Sequence, residues 1–158
     1  MKTLKLLSSL IIVLCVSFIF TGQQAYASNW DYIVNFLQDE MGFNRAVAIG
    51  IATNIDCESS SNPNAYNSAG YYGICQWGGS RLTNLKNFCS SHGWSSNNLY
   101  AQLKFLQHEL SSSQINRLKS FPNNRNGAYN AAYFFAQDFE RCYSGYYNSR
   151  GNLASRRF

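Results

Sequence analysis

The segment that most constrains the fold is NRAVAIGIATNIDCE, Asn44 to Glu58, followed at once by a polar, glycine-bearing stretch from Ser60 to Ser80. An asparagine at the head of such a run can accept a hydrogen bond from the first free amides and so cap a helix. A helix advances about 100° per residue and returns to nearly the same face after seven. Ile51, Ile55 and Glu58 therefore share a face. The two isoleucines are core-directed, and the same stripe carries Glu58 to the interior or to a cleft wall in the last turn.

Two effects disfavour an ionised carboxylate there: loss of water, and the negative end of the helix dipole. Glu58 is thus expected to hold a proton near neutral pH, the property a general acid needs to protonate the leaving oxygen of a glycosidic bond. The competing role is structural, a buried glutamate that accepts hydrogen bonds from the loop after it.

The rest of the chain is mainly helical in pattern, broken by Gly, Asn and Ser clusters. Asn29 is a candidate cap for a first helix bearing Trp30, Ile33, Val34, Leu37 and Met41, with Gly42 placed to end it. Ser60 to Ser80, with YYGICQW inside it, is expected to form a loop with a small β-hairpin. Ser80 heads a short helix to about Cys89. Asn98 heads a longer one with Leu99, Leu103, Leu106 and Leu110 on a stripe. Asn126 precedes another with Ala128, Ala131, Ala132, Phe135 and Phe139, and a last helix is expected from about Ser149. The class is α+β and mostly helical, with all-α the other reading.

At the N-terminus, Lys2 and Lys5, the apolar run Leu6 to Phe20 and the small-residue site Ala25-Tyr26-Ala27 form the pattern of an export signal cleaved after Ala27. The apolar run is shorter than the roughly 20 residues needed to span a bilayer, so no membrane association is expected after cleavage. Cys15 leaves with the signal. Residues 28–158 then form one domain, long enough for a single core and too short for two. Cys57, Cys75, Cys89 and Cys142 are an even set in an exported chain, which favours two disulfides with three pairings open. Zinc is disfavoured, because no CxxC pair occurs and His92 and His108 lack ligand spacing. No cofactor is indicated.

The full chain carries a formal net charge of +5, to which Lys2 and Lys5 contribute two. A modest positive charge suits an anionic partner such as a bacterial cell wall. Nucleic acid is excluded as a partner, since the basic residues are scattered except for Arg150, Arg156 and Arg157, which are expected to form a solvated helix face.

The stretch ESSSNPNAYNSAGYYGICQW, from Glu58 to Trp77, resembles the motif of lysozyme-like peptidoglycan-cleaving enzymes, in which Glu-Ser is followed by Asn-Pro, a Gly, and Gly-aliphatic-x-Gln. These are Glu58-Ser59, Asn62-Pro63, Gly70 and Gly73-Ile74-Cys75-Gln76 here. Within that superfamily, which includes goose-type lysozymes and lytic transglycosylases, the chain is most similar to the phage tail lysozyme family. The similarity rests on YGICQWGGSR with Arg81, on QLKFLQHEL from Gln102, and on FER, Phe139 to Arg141.

The resemblance implies a lysozyme fold with a substrate cleft and a small β-element. It also implies Glu58 as general acid, Ser59 as support for the helix end, and Gly73, Ile74, Gln76 and Trp77 as cleft residues that meet the glycan. AYNA, Ala128 to Ala131, is similar to a lytic transglycosylase motif and makes Tyr129 a further substrate-binding candidate, although Ala132 replaces that motif's glycine. Where the tail family's proline is expected after FER, Cys142 stands.

Asp56 points to the other side of the helix from Glu58, leaving Glu109, Asp138 and Glu140 as second carboxylates, with Glu109 and Glu140 in family-like segments. A retaining pair lies about 5 Å apart and an inverting pair about 6.5–9.5 Å. The expected activity is that of a secreted, single-chain muramidase cutting the β-1,4 bond between N-acetylmuramic acid and N-acetylglucosamine in wall peptidoglycan. Three alternatives stand beside it: a lytic transglycosylase yielding anhydro-sugars, a cysteine peptidase or amidase using Cys75 with His92 or His108, and a non-catalytic wall-binding protein.

Overall fold

A computed structural model describes residues 28–158. The expected export signal, with Cys15, lies outside the described residues. Seven α-helices follow in order: α1 (Asn29–Asp39), α2 (Arg45–Ser59), α3 (Gly79–Ser91), α4 (Leu99–Glu109), α5 (Ser112–Lys119), α6 (Arg125–Phe134) and α7 (Tyr147–Arg157). A π-helical turn (Phe135–Glu140) continues α6, and a short 3-10 turn (Ser144–Tyr146) leads into α7. None of the described helices is long and apolar enough to cross a membrane.

Capping explains where the helices start. Ser28 accepts from the Asp31 amide while Asp31 Oδ2 accepts from the Ser28 amide, so the reciprocal pair begins α1 one residue ahead of the expected Asn29. Asn44 caps α2 as expected, its Oδ1 accepting from the Val47 amide at 3.0 Å, and Asn98 caps α4 in the same way. Asn124 rather than Asn126 caps α6. Helix α3 begins at Gly79 with no side-chain cap. Helix α5 has no counterpart among the expected elements; it has one buried apolar residue, Leu118, and owes its start to a Ser111–Gln114 capping box.

Helix α2 is the axis of the molecule. Every residue from Ala46 to Ile55 is buried, because α1 packs on one side and α6 and α7 on the other. The approach to α6 is close enough to require glycine: a Cβ on Gly50 would lie 2.7 Å from Ala131 Cβ and 2.8 Å from the Ala132 amide nitrogen. Asn54, fully buried, donates Nδ2–H to the Gly50 and Ala132 carbonyls and ties the same two helices together. Most remaining apolar residues, from Ile33 on α1 through Trp77 and Leu85 to Leu103, Phe105 and Phe135, form one continuous core. Burying each large side chain contributes about 1.5–3 kcal/mol.

Two expectations of the fold are corrected. The α+β class with a β-hairpin gives way to a helical fold, since the described residues contain only isolated bridges, Tyr66 with Tyr72 and Tyr72 with Trp77, and no strand. The backbone pairs only locally, Tyr72 with Trp77 in both directions and the Gly73 amide to the Ala65 carbonyl, and side chains add to it: Asn67 Oδ1 accepts from the Ala69 and Tyr71 amides, and Gln102 Oε1 accepts from the Ile74 amide. The two disulfides are also absent. Cys57, Cys75, Cys89 and Cys142 are all free thiols. Cys57 faces solvent on α2, while Cys75 and Cys89 are buried, one in the loop after α2 and the other on α3.

Candidate active site

The end of α2 is stitched to the loop that follows. The Ser59 hydroxyl lies 2.9 Å from the Ile55 carbonyl and 3.0 Å from that of Ile74, so its proton bridges the last helical turn and the Gly73–Gln76 segment. Gln102 on α4 completes the join. It is fully buried, accepts from the Ile74 amide at 2.9 Å, and donates to the carbonyls of Pro63 and Ser96 at 2.8 and 2.7 Å. A buried amide this well satisfied fixes one loop geometry. Gly73 is required beneath it, with φ +77° and an added Cβ only 2.7 Å from Gln102 Oε1.

Glu58 then opens into a cleft of about 450 Å³ together with Asn67, Tyr71, Gln76, Arg81, Glu140 and the thiols of Cys75 and Cys142. A groove of similar volume runs past Trp30 and Ile49, but its two acids are engaged, Asp56 with Arg157 at 2.8 Å and Asp31 in the cap of α1, and none of the motif residues reach it. The motif residues therefore gather at the cleft beside Glu58.

Helix α7 supplies the feature that sequence reasoning missed. Arg150 was expected on a solvated face; its side chain is only 9% exposed, and its Nη2 donates to Glu58 Oε1 at 2.5 Å. Its Nη1 donates to Asn54 Oδ1 at 2.9 Å. Asn54, Glu58 and Arg150 thus form one network across α2, α6 and α7. A signal for it was present: Arg150, Gly151 and Ala154 form a buried stripe, with Gly151 against the Tyr129 ring. Arg157 is likewise engaged, with Asp56 and over the Trp30 ring.

The solvent-excluded carboxyl oxygen that sequence reasoning expects at Glu58 occurs at Glu140, although both residues are half-buried as a whole. Glu58 is 21% exposed and has a guanidinium partner, whereas Glu140 Oε1 is withdrawn from solvent with no hydrogen-bond partner. Burial first, and the charge of Glu58 second, raise the Glu140 carboxyl from 4.5 to about 8, against the opposing pull of Arg81, Arg150 and the Cys75 thiol. Its position at the end of a π-helical turn is of a kind often found at functional sites.

Several candidates fall outside a direct substrate role. Trp77 is fully buried, packs on the Phe105 ring and donates its indole N–H to Glu109 Oε2 at 2.6 Å, so it is a core residue. Glu109 also receives both Nε and Nη2 of Arg81 at 2.9 Å in a bidentate pair, and it does not line the cleft that holds Glu58. Tyr129 is not in the cleft; its hydroxyl donates to Asn148 at 2.7 Å and its ring packs on α7. Ile74 and Ser59 are buried and hold the loop. Gln76 lines the cleft with its amide engaged, donating to the Gly73 carbonyl and accepting from Asn67. Asp138 lines a separate pocket near Arg81 and Glu109.

The sequence profile of the phage tail lysozyme family matches residues 28–158, all of the described chain. The chain belongs to the phage tail lysozyme family. No curated protein matches it. Membership in this lysozyme family gives the chain a lysozyme-like, peptidoglycan-degrading function. The cysteine peptidase alternative finds no support in the cleft. Burial pushes the Cys75 thiol well up, and neither histidine lines the cavity; His92 stacks on Trp94, and His108 lines a different pocket.

Proposed function

We propose that this lysozyme-family chain is an exported muramidase that cuts the β-1,4 bond between N-acetylmuramic acid and N-acetylglucosamine, with Glu58 as the general acid. The observation that carries this reading is the placement of a partly exposed Glu58 in a cleft whose second carboxyl, Glu140, has an oxygen shut off from solvent. Glu58 has the access needed to reach a glycosidic oxygen, and the Ser59 and Gln102 bonds hold the surrounding loop so that little reorganisation accompanies binding. Proton delivery to the leaving oxygen as the C1–O bond breaks leaves an oxocarbenium-like sugar, which the carboxylates of the cleft stabilise and water then captures.

Export rests on the leader pattern before Ser28, the residue at which the family match also begins. Recovery of protein with Ser28 as its first residue from the medium of expressing cells is the expected result. For catalysis, Glu58→Gln should keep its circular dichroism and melting profile and lose cleavage of purified peptidoglycan; full activity in that variant would overturn the assignment. Mass analysis of the products is expected to find reducing N-acetylmuramic acid ends. Anhydro ends would replace hydrolysis by transglycosylation, and cut stem peptides would place the activity outside glycosidases.

A further inference from the structure

An acid hydrogen-bonded to a guanidinium at rest needs a source for the proton it delivers. We propose that Glu140 is that source, a positioning residue whose buried carboxyl stores a proton and passes it to Glu58 when a glycan enters the cleft. This inference rests on the reading of Glu58 as general acid.

Four observations carry it. Glu58 and Glu140 line the same cavity, one at the end of α2 and the other at the end of the π turn. Glu140 Oε1 is buried and has no hydrogen-bond partner, which is costly for a charged carboxylate and tolerable for a neutral one. Both neighbouring guanidiniums are engaged elsewhere, Arg81 on Glu109 and Arg150 on Asn54 and Glu58. The remaining titratable groups of the cavity are the Tyr71 hydroxyl, the thiol of Cys75 and, next to Glu140 in the chain, Arg141 and the thiol of Cys142; Cys75 is held neutral by burial. The cleft at rest therefore holds the Glu58–Arg150 ion pair beside one carboxylic acid, Glu140.

The proton balance closes over a turnover. Glu140 gives its proton to Glu58, directly or through a cleft water, and becomes a carboxylate. Protonated Glu58 no longer needs Arg150, whose charge acts on Glu140 as well, so the guanidinium meets one anion before and after transfer. Glu58 then protonates the glycosidic oxygen, which takes the bonding electron pair as the C1–O bond breaks. The water that adds to C1 releases a proton, which restores the acid form of the pair.

The experiment is the pH–rate profile of peptidoglycan cleavage by the whole chain and by Glu140→Gln. The alkaline limb of the parent is expected near pH 8, where Glu140 loses its proton. In Glu140→Gln activity should persist in acid, with KM held, and the limb should move more than one pH unit to the acid side. A profile superimposed on the parent overturns the proposal, as does a folded Glu140→Gln inactive at every pH. Should Glu140→Gln not fold, carboxyl-carbon NMR of glutamate-labelled parent and Glu58→Gln gives an independent readout. The Glu140 midpoint should fall in Glu58→Gln because a neutral amide removes the charge that raises it; an unchanged midpoint overturns the coupling. Cleavage by Glu58→Gln would defeat the general-acid reading itself, whereas an inactive Glu58→Gln with an unshifted Glu140→Gln profile defeats only the proton store.

Discussion

Removing the Arg150 guanidinium should cost the fold several kcal/mol, although sequence placed this residue on a solvated helix. In Arg150→Leu, Glu58 loses its only cation and the buried Asn54 Oδ1 loses its donor. Breaking a buried ion pair by deleting one partner costs about 3–5 kcal/mol, and stranding a buried carbonyl costs about 1–3 kcal/mol. Glu58 is 21% exposed and can regain water, which argues for the lower part of the combined range. The expected loss is about 4–5 kcal/mol, or a fall in Tm of roughly 10 °C or more for a domain of this size. Urea unfolding at pH 7, followed by tryptophan fluorescence, measures it. Arg156→Leu, at an exposed position on the same helix, should stay within about 0.5 kcal/mol of the parent. A double-mutant cycle with Glu58→Gln should return a coupling of about 1–3 kcal/mol. If Arg150→Leu unfolds within 1 kcal/mol of the parent, Arg150 does not anchor the site and the network across α2, α6 and α7 is incidental.

Glu140 makes stability depend on pH with a definite sign. Its carboxyl is raised from 4.5 to about 8 in the folded chain, so between those values the folded state keeps a proton that the unfolded chain releases. Its contribution is complete below 4.5 and is lost as pH rises through about 8, by at most roughly 1.4 kcal/mol per pH unit. Denaturant titrations at about pH 5.5 and 7.5 should show the parent losing about 2–3 kcal/mol more than Glu140→Gln; parallel behaviour would exclude a buried neutral acid. Gly73→Ala adds a Cβ 2.7 Å from Gln102 Oε1 at a φ of +77° and should destabilise by about 2–4 kcal/mol, as read from thermal melting; a loss under about 0.5 kcal/mol would mean that the Gln102 join is dispensable. Alkylation of chain beginning at Ser28, without reductant, should label Cys57 first and Cys75 and Cys89 only on unfolding, with four thiols in total. A lower total would restore a disulfide.

The helices were legible in the chain wherever a cap and an apolar stripe coincided. Asn44 and Asn98 marked α2 and α4 because one side-chain acceptor near free amides is a local requirement. Helix α5 was not legible, since its short, polar sequence buries only Leu118. The hairpin expectation failed because backbone pairing in the loop after α2 stops at isolated bridges, Tyr66 with Tyr72 and Tyr72 with Trp77, and the rest of the loop is held by Asn67 and by Gln102, the latter 28 residues beyond Ile74. Trp77 and Tyr129 looked like sugar-facing aromatics by motif, yet each sits where packing required a large ring.

The sequence by itself determined the family, the helix that ends at Glu58 and the ordered Gly73–Gln76 segment after it, because spacing along one chain fixes which residues share a face and which turn comes next. Only the tertiary structure decided the charge arrangement of the cleft. Arg150 reaches Glu58 across 92 residues, and Glu140 owes its raised carboxyl to the elements packed around it. Hydration and Coulomb energy depend on distance in space and on the surrounding medium, and neither quantity is carried by local sequence.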